Sequence, residues 1–196
     1  WGPDSQFGSL PGVVRTRVGY TGGTLPNPTY RRLGDHTEAI QIDFDPRVVS
    51  YRDLLAVFFS SHNPCARPYS RQYMSAVFTH SAKQAELAWA AAATAREHLA
   101  AAVRTRIEPL GTFTRAEDYH QKYTLRQYRE VVGELLALYP NARDFTDSTA
   151  AARLNGYLAG SGAAADFARD LPRLGLSDRA RQRVAAVCGG RLTAVR

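Results

Sequence analysis

The amino-acid sequence predicts an α+β fold: a two-layer sandwich in which helices pack on a mixed β-sheet, followed by a helical C-terminal extension. Two segments near the N-terminus alternate apolar and polar residues, as half-exposed strands do. Helical and strand-like segments then follow one another up to about residue 127, and the segments beyond it are helical in pattern. Such an alternation indicates helices packed on a twisted sheet.

The element order predicted for the first part of the chain is helix, strand, strand, helix, strand, helix, strand. Pro11-Gly12 ends the first helix, Ser50 begins the second with Asp53 three residues on, and Ser81 begins the long alanine-rich helix. Residues 114–123 are polar and aromatic, and we expect them to be helical. The predicted ranges are helix 1–10, strands 13–20 and 38–44, helix 50–62, strand 72–80, helix 81–103 and strand 104–110.

Beyond residue 128 the sequence predicts four further helices, over residues 128–138, 149–158, 166–174 and 178–187. We therefore divide the chain into a main domain, residues 1–127, and a helical C-terminal extension, residues 128–196. A further strand before Trp1 is expected, outside this sequence.

Composition and charge narrow the possible functions. The chain has 196 residues, of which 44% are hydrophobic and 22% charged, which is enough for a core without disulfides. Its net charge is +7, but the arginines are spread thinly, which disfavours nucleic-acid binding. No apolar stretch approaches the ~18 residues of a membrane span. The two cysteines, Cys65 and Cys188, fit a reducing compartment, so we predict a cytoplasmic protein. We also expect it to be a monomer.

Three groups of motifs occur in a specific order and spacing. The first is Trp1-Gly2 followed by LPGVVRTRVGYTGG at residues 10–23, and the second is NPTY at 27–30 followed by GDHTE at 34–38 and a strand that ends DFDP. The third is AEDYHQKY at 116–123. From Trp1 to about Tyr123 this set resembles the A-type methionine sulfoxide reductases. The segment AARLNGYLAG at 151–160 resembles the tail of an animal-type branch of that family.

The resemblance implies a peptide-methionine (S)-S-oxide reductase, an oxidoreductase of protein repair and the oxidative stress response. It would reduce methionine-S-sulfoxide, in proteins or free, through a redox-active cysteine and a disulfide, and thioredoxin or a similar dithiol would regenerate it. No metal or other cofactor is implied, and none of the five histidines has zinc-ligand spacing.

The family's nucleophile lies in a Gly-Cys-Phe-Trp-Gly motif, and this chain matches only the Trp-Gly half. The resemblance therefore implies that the sequence is truncated just after the catalytic cysteine, which would stand two positions before Trp1. Residues 1–127 would then be the catalytic domain without its N-terminal strand and nucleophile. A helix N-terminus at this point would favour a thiolate.

The resemblance also assigns the other site residues. Glu38 matches the family's catalytic glutamate, and an acid in an apolar pocket can stay protonated and donate near neutral pH. Tyr30 and Tyr73 would donate hydrogen bonds to the sulfoxide oxygen. Trp1 would form an aromatic wall for the S-methyl group, so these four residues would bind the substrate. The alternatives are a strand-end surface glutamate at position 38 and a frayed terminal tryptophan.

Cys188 lies in a flexible-looking VCGGRL segment and matches the family's resolving cysteines, which attack the sulfenic acid. The alternative is an ordinary packed cysteine at a helix end. Cys65 matches no family role. Asp118, Tyr119 and His120 are expected to brace the site from behind. Relatives place an aspartate shortly before the second tyrosine, whereas the segment between Pro64 and Tyr73 has no acid.

Two other functions remain open from the sequence. A catalytically inactive homologue would only bind oxidised methionine or a protein partner, because the nucleophile is absent from this sequence. A basic nucleic-acid module rests on net charge alone.

Overall fold

The computed structural model describes residues 1–193, which fold as two compact units. The first unit contains residues 1–18, 40–48 and 117 onward, and the second contains residues 19–39 and 49–116. Each unit thus combines segments that are distant in the sequence. The division of function between residues 1–127 and 128–196 stays a prediction.

The secondary structure confirms the predicted α+β class and most of the predicted elements. The helices are α1 (Gly2–Gly8), α2 (Tyr51–Ser60), α3 (Ala82–Leu99), α4 (Arg129–Leu138), α5 (Ala142–Asp147), α6 (Thr149–Leu158), α7 (Ala164–Asp170) and α8 (Asp178–Cys188). The strands are β1 (Val13–Thr21), β2 (Thr37–Phe44), β3 (Ala76–Thr79), β4 (Arg106–Pro109) and β5 (Thr114–Arg115), and 3-10 turns cover Leu125–Gln127 and Leu171–Arg173.

The prediction of one sheet is wrong, because the strands of the described residues form two sheets. One sheet has the order β2-β1-β5, in which β1 and β5 are antiparallel. The other consists of β3 and β4, which are parallel and joined by the crossover helix α3. Two parallel strands need such a crossover connection. The two short strands pair with each other along their whole length.

The helix caps follow the predicted chemistry. The Ser50 side chain accepts a hydrogen bond from the Asp53 amide while the Asp53 carboxylate accepts one from the Ser50 amide, which completes a capping box at α2. Ser81 caps α3 by accepting from the Gln84 amide. Helix α3 ends at Leu99, earlier than predicted, because Ala100 adopts a left-handed conformation with φ of 49°.

The prediction of a helix over residues 114–123 is wrong. Thr114 and Arg115 form β5, and turns follow it. The Gln121 side chain accepts from the Val18 amide at 3.0 Å and donates to the Val18 carbonyl at 2.8 Å, so it binds the backbone of β1. Lys122 has φ of 55°, which an α-helix does not permit. Tertiary contacts to β1 therefore override the local helical preference.

The first unit contains a buried ion pair. The Lys122 ammonium lies 2.8 Å from the Asp4 carboxylate, and both side chains are 0% exposed. The ammonium also donates to the Thr16 carbonyl at 2.7 Å, and the Thr16 hydroxyl donates to Asp4 at 2.5 Å. The Lys122 amide donates to the other Asp4 oxygen at 3.1 Å. These bonds fasten α1, β1 and the turn after β5 at one point.

The apolar core of the first unit comes mainly from the C-terminal helices, together with residues of the 3-10 turns and loops between them. The helix α6 is buried along its length. None of the helices within residues 1–193 is long and apolar enough to cross a bilayer. The core side chains are Leu125, Val131, Leu135, Phe145, Ala150, Ala151, Leu154, Tyr157, Leu158, Leu174, Leu176, Ala180, Val184 and Cys188.

The second unit has a smaller core between its two helices. Leu55 and Phe59 of α2 pack with Ala88 and Ala92 of α3. Val77 of β3 packs against the same group. The alanines of α3 thus serve as a close-packing face as well as helix formers.

We predict that Lys122→Met lowers the free energy of unfolding by about 3–5 kcal/mol, because the substitution leaves the Asp4 carboxylate buried without its counter-charge. Urea denaturation monitored by circular dichroism measures the change.

The matched control is Lys83→Met, since Lys83 is the only other lysine of the sequence and pairs with Glu86 on an exposed helix face. That substitution should change the stability by less than about 1 kcal/mol. Equal effects of the two substitutions would contradict a special role for the buried pair.

Candidate active site

The start of strand β2 binds the segment before β3 and brings two predicted site residues together. The Thr37 hydroxyl donates to the Arg71 carbonyl at 3.0 Å, and the Glu38 amide donates to the Gln72 carbonyl at 3.0 Å. These bonds hold residues 71–73 beside Glu38, although more than 30 residues separate them in the sequence.

The side chains at this point form a connected polar cluster in the second unit. The Gln72 amide nitrogen donates to the Glu38 carboxylate at 2.8 Å and to the Tyr73 hydroxyl at 3.1 Å. The hydroxyl of Tyr73 also hydrogen-bonds to that of Tyr30. The structure therefore brings the predicted residues Tyr30, Glu38 and Tyr73 together. We call these three residues and Gln72 the Glu38 cluster.

Gln72 was not predicted as a site residue. Its signal in the sequence is its position directly before Tyr73 in RQY. The segment before Tyr73 has no acid, and in the structure the Gln72 amide contacts Glu38 and Tyr73. An amide can bind the carboxylate and the phenol at once because it carries two N–H donors.

The two tyrosines of the Glu38 cluster combine mutual hydrogen bonding with access to solvent. Tyr30 is 40% exposed and Tyr73 is 53% exposed. The hydrogen bond to Tyr30 raises the pKa of Tyr73, and desolvation and the charge of Glu38 act in the same direction. Tyr73 therefore keeps its proton at neutral pH and can donate a hydrogen bond to a ligand oxygen.

The glycine-rich loop before β2 is held by hydrogen bonds. The Asp35 carboxylate accepts from the amides of Thr24 and Leu25, and these bonds lower the pKa of Asp35 to about 2. The Arg71 guanidinium donates to the carbonyls of Asp35 and Gly22. Tyr30 lies within this loop, so its backbone is tied to the segment that carries Tyr73.

Close packing inside the same loop explains one of its glycines. The ring of His36 is buried, and its Nε2 lies 2.8 Å from the Leu25 carbonyl. A Cβ atom at Gly23 would come within 2.7 Å of that ring. Glycine at position 23 thus allows the loop to close over His36, two residues before Glu38.

Trp1 lies in the first unit and is half-buried rather than frayed. It is the N-cap residue of α1, and its carbonyl accepts from the Asp4 amide at 3.2 Å. Its ring centroid lies 4.7 Å from that of His120, which lies 4.2 Å from that of Tyr119. Three aromatic rings therefore pack in series at the start of α1.

The motif AEDYHQKY makes several contacts within the first unit, while the bracing of the site by Asp118, Tyr119 and His120 stays a prediction. His120 contacts Trp1 as described, whereas Asp118 is exposed. The strongest anchors are Gln121 and Lys122, which bind β1 and Asp4. Both side chains are polar although they are buried, so no apolar periodicity in the sequence could have predicted their roles.

The two cysteines lie in different environments. Cys188 is the last residue of α8 and is 1% exposed, and its burial raises the pKa of the thiol to about 11. The segment predicted to be flexible therefore begins with a packed helix end, and its residues from Gly189 onward follow the helix. Cys65 lies in a loop and is half-buried, with its amide donating to the Asn63 side chain. Neither cysteine is in a disulfide.

A cleft of about 500 Å³ lies elsewhere in the second unit, at the ends of β3 and β4 and the start of α3. Trp89 forms part of its wall, and the Glu38 cluster does not line it. In the part of the chain that the structure describes, no three or more His, Cys, Asp or Glu side chains group as metal ligands do.

Comparison with known sequences identifies the class of protein. The family model described as peptide methionine sulfoxide reductase matches residues 1–150. The chain is 39% identical over 184 residues to the peptide methionine sulfoxide reductase of Drosophila melanogaster, which covers 93% of this chain and 74% of the relative. It is 41% identical over 170 residues to peptide methionine sulfoxide reductase A5 of Arabidopsis thaliana, which covers 81% of this chain. The chain spans 64% of that plant relative's length.

Solved structures agree with the sequence comparison. The reduced form of Mxr1 from Saccharomyces cerevisiae has a TM-score of 0.61 and 26% identity, over 64% of this chain and 79% of that chain. Methionine sulfoxide reductase A of Corynebacterium diphtheriae has a TM-score of 0.56 and 33% identity, over 64% of this chain and 69% of that chain. The chain belongs to the peptide methionine sulfoxide reductase family, a family of oxidoreductases, as its motifs predicted.

We predict that iodoacetamide at pH 8 labels Cys65 of the folded protein at least 10-fold faster than Cys188. At a pKa of about 11 roughly one Cys188 thiol in a thousand is ionised at that pH, and burial also blocks the reagent. Peptide mass spectrometry measures the two rates.

Labelling in urea provides the control, because unfolding exposes both thiols and should bring their rates close together. Equal labelling rates in the folded protein would show that the end of α8 opens readily.

Proposed function

We propose that this protein reduces methionine-S-sulfoxide, in proteins or free, to methionine. The single observation that carries the proposal is the Glu38 cluster, in which a carboxyl group and two tyrosine hydroxyls are connected by hydrogen bonds at a solvent-accessible site. Family membership supplies the substrate class. The chain spans 74% of the length of the Drosophila relative and 64% of that of the Arabidopsis relative.

The first chemical step transfers oxygen from sulfur to a thiol. A cysteine thiolate attacks the sulfoxide sulfur and Glu38 gives a proton to the sulfoxide oxygen, so that a transient S–S bond forms. The oxygen, with its proton, then bonds to the cysteine sulfur while the S–O bond of the substrate and the transient S–S bond break. The products are methionine and a cysteine sulfenic acid, which keeps the transferred oxygen. Tyr30 and Tyr73 donate hydrogen bonds to the oxygen while negative charge develops on it. In this proposal Trp1 contacts the S-methyl group.

The proposed nucleophile is the cysteine that the resemblance places two positions before Trp1. The cysteines within the chain fit this role less well. Burial raises the pKa of Cys188, which keeps its thiol protonated, and Cys65 lies in the loop that follows the C-terminal end of α2. The match of Trp1-Gly2 to the second half of the family motif supports the proposal.

The second step removes the sulfenic acid. A second thiol attacks the sulfenic sulfur, a disulfide forms and water leaves. Cys188 is the proposed resolving cysteine, which requires that the end of α8 unpack, because its thiol is buried. Thioredoxin or a similar dithiol then reduces the disulfide. The proposal places a monomeric protein in a reducing compartment such as the cytoplasm, in keeping with its two free thiols.

We predict that Glu38→Gln lowers the reductase rate by roughly 10²-fold or more in a protein that carries the upstream cysteine, because the amide cannot donate the acid proton. The assay follows dithiothreitol consumption with a methionine-sulfoxide peptide as substrate.

Glu86→Gln on the exposed face of α3 is the matched control and should leave the rate unchanged. An unchanged rate for Glu38→Gln would show that the acid lies elsewhere. Absence of turnover in the unsubstituted protein with its upstream cysteine would favour a homologue that only binds oxidised methionine.

We also predict that Cys188→Ser spares a single turnover per protein molecule and slows cycling driven by thioredoxin, because the first oxygen transfer does not use the resolving thiol. Rapid-quench measurement of methionine separates the two phases. Cys65→Ser is the control and should affect neither phase. Full thioredoxin-driven turnover in Cys188→Ser would remove Cys188 from the mechanism.

A further inference from the structure

Helices α1 and α6 approach each other closely at two glycines. A Cβ atom at Gly8 of α1 would lie 2.5 Å from the Ala152 carbonyl oxygen. A Cβ atom at Gly156 of α6 would lie 2.5 Å from the Ser5 carbonyl oxygen. Both distances are shorter than any ordinary contact, so only glycine permits this separation of the two backbones. The position of α1 is thus set by direct backbone packing against α6.

Asn155 binds the first turn of α1 from the same helix. Its side-chain nitrogen donates to the Ser5 hydroxyl at 3.1 Å and lies 3.4 Å from the Asp4 carboxylate. Its side-chain oxygen accepts from the Leu125 amide at 3.0 Å. Asn155 is 1% exposed, so these bonds form away from water. One amide therefore connects α1 to the 3-10 turn that follows Lys122.

Arg153 binds the other end of α1. Its guanidinium donates to the carbonyls of Gly8, at 2.9 Å, of Leu10, and of Val13, at 3.2 Å. The last carbonyls of a helix have no partners within the helix, and the buried guanidinium satisfies that of Gly8. Its other two bonds hold the segment that leads from α1 to β1. The Nε of Arg153 also forms an ion pair with the Asp170 carboxylate, at 3.4 Å.

These contacts extend to Trp1 through the first turn of α1. The Trp1 carbonyl accepts from the Asp4 amide, and the Asp4 carboxylate lies between Lys122 and Asn155. The Trp1 ring packs on His120, two residues before Lys122. A shift of α1 along α6 would therefore move the backbone of Trp1 relative to the His120 ring, on which the Trp1 side chain packs.

We infer that α6 is a positioning element for α1, and that Gly156, Asn155 and Arg153 fix the place of Trp1 at the N-terminus of that helix. The C-terminal helices thus act on Trp1 through the arrangement of α1. The inference rests on the proposed function only for its effect on catalysis; the position of Trp1 can be measured without any activity.

The test uses the indole N–H signals in the ¹H–¹⁵N spectrum of the 196-residue chain, whose two tryptophans are Trp1 and Trp89. Trp89→Phe assigns the signal of Trp1. Gly156→Ala should shift or broaden the Trp1 signal, because the new methyl group collides with the Ser5 carbonyl, and should leave that of Trp89 unchanged. Asn155→Ala, which introduces no collision, should move the Trp1 signal in the same way.

Two variants serve as controls within the same unit. Gly133→Ala makes the same chemical change in α4, where a Cβ atom meets nothing within 4 Å. Val184→Ala removes packing from the buried face of α8 and lowers stability without touching α1. Both should leave the Trp1 signal in place.

Kinetics in a protein with the upstream cysteine give an independent measure. Asn155→Ala should raise the KM for methionine sulfoxide and lower kcat/KM by roughly 10-fold, because a small misplacement of a positioning group is costly. Its KM for thioredoxin should not change, whereas a simple loss of folded protein would lower kcat and leave both KM values unaltered.

The measured signals distinguish a specific effect on Trp1 from a general loss of stability. A Trp1 signal that moves in Gly156→Ala and Asn155→Ala, and stays in both controls, supports the inference even if the protein has no reductase activity. An unchanged signal in Asn155→Ala overturns it, whether or not Gly156→Ala folds. An equal shift in Val184→Ala also overturns it, because general loss of stability would then be the cause.

Discussion

The buried pair of Asp4 and Lys122 is the constraint on which the rest of the first unit depends. Both side chains are out of water, so the energy of desolvation is offset only while all their hydrogen bonds are made. These bonds come from α1, from β1 and from the turn after β5, which must therefore meet at one place. The left-handed backbone of Lys122 is a consequence, since it turns the chain so that its amide and its ammonium both reach Asp4.

Helix α6 adds a second set of restraints on the same short helix. Helix α1 has seven residues, too few to be stable by itself. Two glycine contacts, one asparagine and one arginine hold it against α6, and the ion pair of Asp4 with Lys122 holds its first turn. The C-terminal helices are thus part of the framework of the first unit, although the sequence pattern presents them as an extension.

The Glu38 cluster is built differently, from backbone hydrogen bonds at the edge of a strand. Thr37 and Glu38 bind residues 71 and 72, and the side chains then meet at the surface, where the two phenols stay accessible. An acid and two hydroxyl donors at a solvent-accessible position suit a reaction in which oxygen leaves sulfur and takes up a proton. The side-chain amide of Gln72 donates hydrogen bonds to the Glu38 carboxylate and to the Tyr73 hydroxyl, which holds these two groups in place relative to each other.

The sequence by itself determined the fold class, the family and most helices and strands, because periodicity, caps and turn residues act locally and the motifs are specific. It also named Tyr30, Glu38 and Tyr73, which the structure brings together, while their catalytic roles stay predictions.

Tertiary structure alone decided what depends on distant partners: the division into two sheets, the turn at residues 116–123 where the sequence predicts a helix, and the burial of Cys188. Gln72, Lys122, Arg153 and Asn155 were missed for the same physical reason. A polar side chain is stable in an interior or at a site only when partners from other segments satisfy it, and no local pattern records those partners.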